Sequence, residues 1–173
     1  FKTLENALPF NLQLSKAKDA LRQPRVGHRI DFATCGLVVV AKTASFLAYI
    51  KAAFEKKQVE KTYQAIVVGD FPENLSKIDT PIEGKEAITK ISKKKVVPSI
   101  HFGALSLLEI DLLTGRRHQI RKHLSAEGFP VLGDQLYATP KQRLRGKGLF
   151  LCASKVRFDF DQEVKVETVC PGK

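Results

Sequence analysis

Residues 36–67 read GLVVVAKTASFLAYIKAAFEKKQVEKTYQAIV, and three successive patterns in this stretch decide the fold. The apolar run at residues 37–41, entered through a glycine, predicts a buried strand. Thr43 or Ser45 can cap a following helix, whose apolar residues then recur at helical spacing. Residues 59–67 alternate along the chain in the way that is typical of a second strand.

The same periodicities predict further elements on both sides of this stretch. Alternation from Leu8 to Leu14 predicts an early strand. Later strands are expected at residues 87–91, 104–113, 149–160 and 164–169, with residues 93–95 and Pro98 in a turn, and a helix is expected at 116–127. Strands mostly follow strands, which favours an α+β domain with a mostly antiparallel, mixed central sheet flanked by a few helices over a βαβ-wound fold.

The net charge points to the class of partner. The chain has 173 residues, which suits one domain spanning residues 1–173. Its 29 Lys and Arg residues against 18 Asp and Glu residues give a net charge of +11. An excess of this size bears on partners rather than on fold. Nucleic acid is the first expectation, an anionic membrane surface the second, and a simply soluble basic protein the third.

Several classes of protein are disfavoured by the composition. No stretch approaches the ~20 consecutive apolar residues that would span a bilayer. Cys35, Cys152 and Cys170 are an odd number of cysteines far apart in sequence, which argues for a reducing compartment, the cytoplasm. No Cys-x-x-Cys grouping is present, so we expect no structural zinc site.

The loop before the first buried strand carries His28-Arg29-Ile30-Asp31. An acidic residue on a tight loop can act as a nucleophile or a base. A structural ion pair between Asp31 and a neighbouring arginine would give the same pattern, so both interpretations stay open at this point.

Residues 116–123 read RRHQIRKH and place four cations and two histidines on one predicted helix. Cations near a helix start oppose the helix dipole, so another interaction should explain them, and phosphate binding is one. A solvated basic helix is the alternative. Ile120 and Leu124 are expected to face the core. His118 and His123 are five residues apart, a spacing that does not place two zinc ligands on one helical face.

Strand alternation places Lys61 and Tyr63 on one face of the strand predicted at residues 59–67. A tyrosine in such a position usually belongs to the core, with its hydroxyl hydrogen-bonded. The alternative is that its ring forms a platform on which a nucleobase stacks.

Four segments, three of which contain the residues described above, together resemble the RluA-type pseudouridine synthases. Residues 28–37, HRIDFATCGL, resemble that family's HRLDxxTSGL motif, and residues 61–69, KTYQAIVVG, its KxYxAxVxG segment. Residues 113–124, LTGRRHQIRKHL, are similar to TGRTHQIRxHL, and residues 128–137, GFPVLGDQLY, to GxPIxGDxxY. The motifs stand in the family's order between residues 26 and 160.

The resemblance implies the pseudouridine synthase fold and the isomerisation of a uridine in ribosomal or transfer RNA to pseudouridine. It implies no cofactor and no metal. By position in the motifs, Asp31 would be the nucleophile, and Arg121 would orient it through a bidentate pair. Tyr63 would lie against the flat uracil, near the point where a proton leaves C5.

A uridine must leave its stack to reach such a pocket, which costs a few kcal/mol. Arg29 would fill the space that the uridine leaves in the stack, or hold a phosphate. A structural ion pair of Arg29 is an alternative of equal weight. Since the resemblance implies an RNA partner, the expected RNA-contacting residues are Arg29, Arg116, Arg117, His118, Lys141, Arg143 and Arg145. We expect a monomer that does not bind membranes.

The sequence departs from the family pattern in places. Ile30, Cys35 and Arg117 replace the family's Leu, Ser and Thr. The family's KPxG segment is not found before His28, so we expect an N-terminal part that is incomplete or diverged, and no S4-like domain. Two other classes stay open: a non-catalytic RNA-binding relative and a basic component of a ribonucleoprotein. Neither class of protein would need Asp31, Tyr63 and Arg121 together.

Overall fold

A computed structural model describes residues 3–144 and 146–168, which form two compact units. The helices and strands, in chain order, are α1 Leu4–Asn11, β1 Ala20–Val26, β2 Cys35–Gly36, β3 Val40–Thr43, α2 Ala44–Glu55, β4 Glu60–Val68, β5 Lys77–Ile78, β6 Thr89–Ser99, β7 Gly103–Leu112, α3 Gln119–Ala126, β8 Leu151–Phe160 and β9 Gln162–Glu167. Within these two described ranges no helix is long and apolar enough to cross a membrane.

One unit contains the described residues up to Ile30 together with Val38–Val59. In it β1 and β3 pair antiparallel, and α2 follows β3 directly. Thr43 Oγ1 accepts a hydrogen bond from the backbone N–H of Phe46 at 3.3 Å, which confirms the cap predicted at Thr43. Ile50 and Ala53 are the buried residues of α2.

Two sequence-based predictions near the N-terminus were wrong. The strand predicted from Leu8 to Leu14 is replaced by the helix α1, which Thr3 caps. The apolar alternation does not mark a sheet face, because only Leu8 of that series is buried. The strand predicted from residue 37 begins instead at Val40.

The other unit contains Asp31–Leu37 and the described residues from Glu60 onward. Its sheet has the strand order β2-β8-β4-β7-β6-β5, and β9 also pairs with β8. The β2–β8 pair is parallel and the other pairs are antiparallel. This arrangement confirms the α+β class with a mostly antiparallel, mixed sheet.

The core of this second unit follows from strand and helix periodicity. Ala65 and Val67 of β4 are buried, as are Leu108 and Ile110 of β7, because alternate residues of a strand point to the same face. Ile120 and Leu124 of α3 are buried as well, as their helical spacing predicted. Removal of these apolar side chains from water provides the main driving force for folding.

The basic segment at residues 93–95 lies in a strand, not in the predicted turn. It belongs to β6, and the turn to β7 comes only after Ser99. The register shifts between Lys93 and Lys95, so Lys94 is an extra residue in the ladder, as in a β-bulge. Because β5 covers only Thr89 and Lys90, the later part of β6 is a sheet edge, where Pro98 is tolerated.

The predicted helix at residues 116–127 is also shorter than expected. It begins at Gln119, because His118 has a φ of +56° and cannot continue a right-handed helix. The connection between β7 and α3 therefore contains Arg116, Arg117 and His118. These residues are not part of the helix, so the two arginines do not place positive charge in its first turn.

Candidate active site

Asp31 begins a tight turn that is held against the sheet. The backbone N–H of Thr34 donates to the Asp31 carbonyl at 2.9 Å, and Thr34 is buried. The chain then enters β2, where Gly36 lies opposite Ala153 of β8. Gly36 has a φ of +109°, and a Cβ there would overlap the Ala153 carbonyl. Only glycine allows this close approach, which holds the chain that follows the turn against β8.

Tyr63 lies on β4, the strand on the other side of β8. It pairs with Ala153, the same residue that pairs with Gly36, so β8 brings Tyr63 close to the Asp31 turn. Burial raises the pKa of Tyr63 to about 12, and the negative charge of Asp31 adds to this rise. The phenol therefore stays protonated at neutral pH.

Lys61 lies two residues before Tyr63 on β4, and its side chain is half-buried. A Cβ at Gly115 would be 3.7 Å from Lys61 Nζ, so the ammonium lies beside the connection that follows β7. Burial lowers the pKa of Lys61. Lys61 and Tyr63 are thus alternate residues of β4, as the predicted strand requires.

Arg121 is fixed on α3 by a buried ion pair with Asp134. Its Nε donates to Asp134 Oδ2 at 2.7 Å and its Nη2 to Oδ1 at 2.8 Å. The two residues are only 5% and 1% exposed. Burial by itself would raise the pKa of Asp134, but the Arg121 bonds and the N–H groups of Leu136 and Tyr137 lower it below its usual value.

The resemblance implied a bidentate pair between Arg121 and Asp31. In the structure Arg121 forms its bidentate pair with Asp134 instead. Asp134 accepts both hydrogen bonds, because its carboxylate meets the guanidinium edge that carries Nε and Nη2. The bond to Asp134 raises the pKa of Arg121, and the charge of Asp31 contributes further to that rise. Asp31 thus lies in the electrostatic field of Arg121, whereas Asp134 sets its position.

His118 links the Asp31 turn to the end of the GDxxY segment. Its Nε2 is 3.9 Å from Asp31 Oδ1, and its Nδ1 shares a 2.8 Å hydrogen bond with the Tyr137 hydroxyl. Burial lowers the pKa of His118, and Asp31 offsets this shift only in part. The imidazole is therefore mostly neutral at pH 7.

Gln119 holds the connection that carries these residues. Its Oε1 accepts from the Thr114 hydroxyl at 2.8 Å and from the Arg116 N–H at 3.0 Å. Its Nε2 donates to the Ile88 carbonyl at 3.0 Å. A buried amide with its oxygen and nitrogen both paired rigidifies the segment before α3.

His123 is a structural residue of the core. It is buried, and its ring nitrogens lie 2.9 Å from Thr89 Oγ1 and 2.9 Å from the Thr80 carbonyl. In residues 3–144 and 146–168, no group of three or more His, Cys, Asp or Glu side chains is arranged to hold a metal ion.

Asp134 and Tyr137 received no role from the sequence, although both lie in the quoted segment 128–137. The Arg121 guanidinium lies 5.0 Å from the centroid of the Tyr137 ring, within cation–π distance. An acidic residue after the apolar Val131-Leu132 was a usable signal, since a buried carboxylate needs a partner. The glycine just before Asp134 was a second usable signal. In the structure Gly133 has a φ of +82°, and a Cβ there would overlap the Gly148 carbonyl, so the position requires glycine.

Besides His118, three of the residues predicted to contact RNA lie in connections: Arg29 before β2, and Arg116 and Arg117 before α3. Arg29 is exposed in the first unit. In the second unit Arg117 is exposed, whereas Arg116 is half-buried and its Nε donates to the Glu86 carbonyl at 2.8 Å. Arg117 is thus the more available cation beside His118.

The other predicted RNA-contacting residues follow the GDxxY segment. Lys141 and Arg143 are exposed in the second unit, and Arg143 Nε also donates to the Ala138 carbonyl at 3.2 Å. Arg145 lies outside the described residues. The structure leaves the RNA contacts of this group as predictions.

Two lysines of β6, Lys93 and Lys94, are less available than their predicted turn position suggested. Lys93 Nζ lies 3.0 Å from carboxylate oxygens of both Asp70 and Glu73. Lys94 Nζ lies 2.9 Å from Glu109 Oε1. Nearby carboxylates thus balance much of the positive charge of this segment.

The second unit therefore brings together a carboxylate, a protonated phenol, a mostly neutral imidazole and a fixed guanidinium: Asp31, Tyr63, His118 and Arg121. The Asp31 side chain is 24% exposed, so a ligand can reach it. A carboxylate in this setting can act as a nucleophile or remove a proton. The guanidinium provides a preorganised positive field for charge that develops nearby.

Comparisons with known proteins agree with the resemblance to the RluA-type family. Residues 3–126 match the family model described as RNA pseudouridylate synthase. A "Ribosomal large subunit pseudouridine synthase D" of Borreliella burgdorferi is 31% identical over 159 residues, which cover 86% of this chain and 48% of that protein. The "Dual-specificity RNA pseudouridine synthase RluA" of Haemophilus influenzae is 27% identical over 162 residues, covering 85% and 72%.

A solved structure supports the fold. "Human RNA Pseudouridylate Synthase Domain Containing 1" superposes with a TM-score of 0.76 at 28% identity, covering 86% of this chain and 69% of the human one. The chain spans about half the length of the first curated relatives it matches. The α+β architecture predicted from the order of elements is therefore shared with this structure.

Proposed function

Because the chain belongs to the RNA pseudouridylate synthase family, we propose that it converts uridine in RNA to pseudouridine. In this isomerisation the bond from N1 to C1′ breaks, the uracil turns, C5 bonds to C1′, a proton leaves C5, and N1 gains a proton. The observation that carries the proposal is the grouping of Asp31, Tyr63 and Arg121 in the second unit, with Asp31 at the start of a fixed and accessible turn.

Asp31 is the proposed nucleophile. Its turn is anchored by Thr34 and Gly36, so the carboxylate approaches a bound nucleotide in a defined direction. The nearby guanidinium of Arg121 stabilises negative charge that develops as the glycosidic bond breaks. Asp134 contributes indirectly, because it positions Arg121.

Tyr63 is proposed to contact the uracil ring. It is mostly buried beside Asp31, and with a pKa of about 12 it offers an aromatic face and an O–H donor rather than a phenolate. A flat base that must turn within the pocket needs an apolar wall without fixed charge. The Tyr63 ring supplies such a wall next to the nucleophile.

The proposed substrate is a uridine in structured ribosomal or transfer RNA. The name of the Borreliella relative refers to the large ribosomal subunit, and that of the Haemophilus relative to dual specificity. The target nucleotide must leave its stack, as for other enzymes that act on a base. Arg29, Arg117, Lys141 and Arg143 are proposed to hold the RNA backbone, which agrees with the net charge of +11.

That residues 1–173 form a single catalytic domain and that the protein is a monomer both stay predictions. The cytoplasm is proposed as its location, because Cys35, Cys152 and Cys170 are an odd number of cysteines far apart in sequence, which favours a reducing compartment.

Substitution of Asp31 tests the reaction. The assay measures tritium released from unmodified RNA transcripts that carry uridine labelled at C5, and RNA binding is measured in parallel. Asp31→Asn should abolish tritium release, while RNA binding changes by less than about threefold, because one neutralised carboxylate adds no repulsion toward phosphate. Asp159→Asn, at an exposed position on β8, is the matched control and should retain full activity.

The same assay separates the other two classes. A wild-type chain that binds RNA tightly without releasing tritium would be a non-catalytic relative. A chain that binds many polyanions equally well and releases nothing would be a basic structural protein. Full activity of Asp31→Asn would refute the role of Asp31.

A further inference from the structure

Phe32, the residue directly after Asp31, is fully exposed, with a relative exposure of 104%. It occupies the second position of the turn that the Thr34 N–H closes onto the Asp31 carbonyl at 2.9 Å. Both ends of this turn are held, since Thr34 is buried and Asp31 lies within the site. The aromatic ring is therefore presented to solvent on a fixed support.

Turn formation does not explain a phenylalanine at this position. The second residue of a common β-turn is most often proline or a polar residue, and an aromatic ring gains nothing there from the backbone. The ring also gains nothing from the core, because it buries no area in the described structure. Its placement points instead to a ligand that covers it.

A second exposed apolar side chain adjoins the site in the same unit. Leu136 is 65% exposed, and it lies between Asp134, which pairs with Arg121, and Tyr137, which bonds to His118. Phe32 and Leu136 thus each stand beside a residue of the candidate active site. Two exposed apolar side chains, each next or near in sequence to a residue of the charged site, suit a ligand with flat apolar faces and a charged backbone.

We propose that Phe32 stacks on a nucleobase that neighbours the target uridine in the bound RNA, with Leu136 as an additional apolar contact. The inference rests on the proposed function and adds a substrate-positioning residue to it. Successive Cα atoms are about 3.8 Å apart, so a ring on Phe32 reaches the nucleotide next to one held at Asp31. Stacking would hold the strand in place while the uridine is out of its stack.

The surrounding charge favours RNA over other partners with apolar surfaces. Arg117 is exposed in the connection that carries His118, whose imidazole lies 3.9 Å from Asp31. An aromatic platform combined with neighbouring cations is the usual means of binding unpaired nucleotides, because every base has a face to stack and every nucleotide a phosphate.

The test compares Phe32→Ala, Phe32→Leu and Phe32→Trp with the wild type. It measures the affinity for unmodified ribosomal and transfer RNA transcripts and the rate of pseudouridine formation with enzyme in excess. Ile100→Ala is the matched control, since Ile100 is also fully exposed, at the turn between β6 and β7. That turn lies a full strand length from the end of β7 that leads to the site, about 30 Å.

Phe32→Ala and Phe32→Leu should weaken RNA binding by about tenfold, whereas Phe32→Trp retains it. The rate at saturating enzyme should fall less than about threefold, because Phe32 holds the strand and not the reacting atoms. Ile100→Ala should behave as wild type in both measurements. Urea midpoints of all four variants should equal that of the wild type, which excludes misfolding as the cause.

Unchanged RNA affinity of Phe32→Ala overturns the proposal, and so does an equal loss in Phe32→Trp. A protein partner for Phe32 would then be the remaining interpretation. Failure of the proposed function is seen separately, because wild-type protein would then form no pseudouridine while the binding comparison among Phe32 variants could still be made.

Discussion

At the scale of single residues, Arg121 depends on Asp134 for its position. Two N–H donors of the guanidinium and two backbone N–H groups meet one carboxylate, so the buried charges are paired and hydrogen-bonded. Such a pair need not add net stability, but removal of one partner leaves a buried charge without compensation. The motif was recognisable in the sequence, but the partner of Arg121 was not.

Replacement of Asp134 should therefore be costly. Asp134→Asn keeps the shape but removes the negative charge, and we expect the free energy of unfolding to fall by about 3 kcal/mol. The turnover rate should fall as well, since Arg121 loses its fixed orientation. Urea unfolding and the tritium assay measure the two effects. Asp79→Asn serves as the control, because its ion pair with Lys77 is exposed, and it should leave both measurements unchanged.

The loss of folding stability at low pH should depend in part on the Arg121–Asp134 ion pair. The pKa of Asp134 is lower in the folded state, so its contribution to stability is fully present above the unfolded value of about 3.9 and is lost as the pH falls through the folded value. The stability of Asp134→Asn should therefore decline less below pH 4 than that of wild type. Parallel stability profiles for the two proteins would contradict this assignment.

At the scale of secondary structure elements, β8 assembles the site. It pairs with β2, which follows Asp31, and with β4, which carries Tyr63, and its residue Ala153 pairs with both Gly36 and Tyr63. Alternation and capping predicted β4, α2 and the buried face of α3, because these signals are local. They did not predict α1 or the lysines within β6, where edge position and a shifted register decide the conformation.

Gly36 tests the role of this strand contact. Gly36→Ala would place a Cβ against the Ala153 carbonyl, so β2 must move and carry Asp31 away from Tyr63. We expect loss of pseudouridine formation together with a fall of several kcal/mol in the free energy of unfolding. Gly84→Ala is the matched control, because Gly84 also has a positive φ, +72°, but has open space around it.

The control variant should lose only about 1–2 kcal/mol, the cost of the left-handed backbone for a residue with a Cβ. The difference between the two variants then measures the contact with β8. Equal stability and equal activity of both variants would show that the Asp31 turn does not depend on that contact.

At the scale of the whole molecule, the net charge is +11, but not all of the positive side chains are equally free to contact phosphate. Lys93 lies beside two carboxylates, and Lys94 beside a third. Arg117 is exposed in the connection before α3. Because counterion release follows the number of phosphates neutralised, the salt dependence of binding should identify the cations that meet RNA.

Arg117→Ala should weaken RNA binding and reduce the slope of log K against log salt concentration by about 0.7–0.9, the value for one phosphate contact. Lys93→Ala is the control and should leave the slope unchanged, since Asp70 and Glu73 already balance that ammonium. Titrations between low and moderate salt measure both slopes. An unchanged slope for Arg117→Ala would remove it from the RNA-contacting residues.

The order of predicted elements was enough to give the α+β class, and the resemblance of four motifs gave the family and the residues proposed for the chemistry, because periodicity and motifs are local properties of the chain. Only the tertiary structure decided which groups meet: Arg121 with Asp134, His118 with Asp31 and Tyr137, and Phe32 with solvent. The contacts among Asp31, His118 and Tyr137, and between Arg121 and Asp134, join different segments of the chain. They depend on strand order and on the competition between burial and hydrogen bonding, which no single segment encodes.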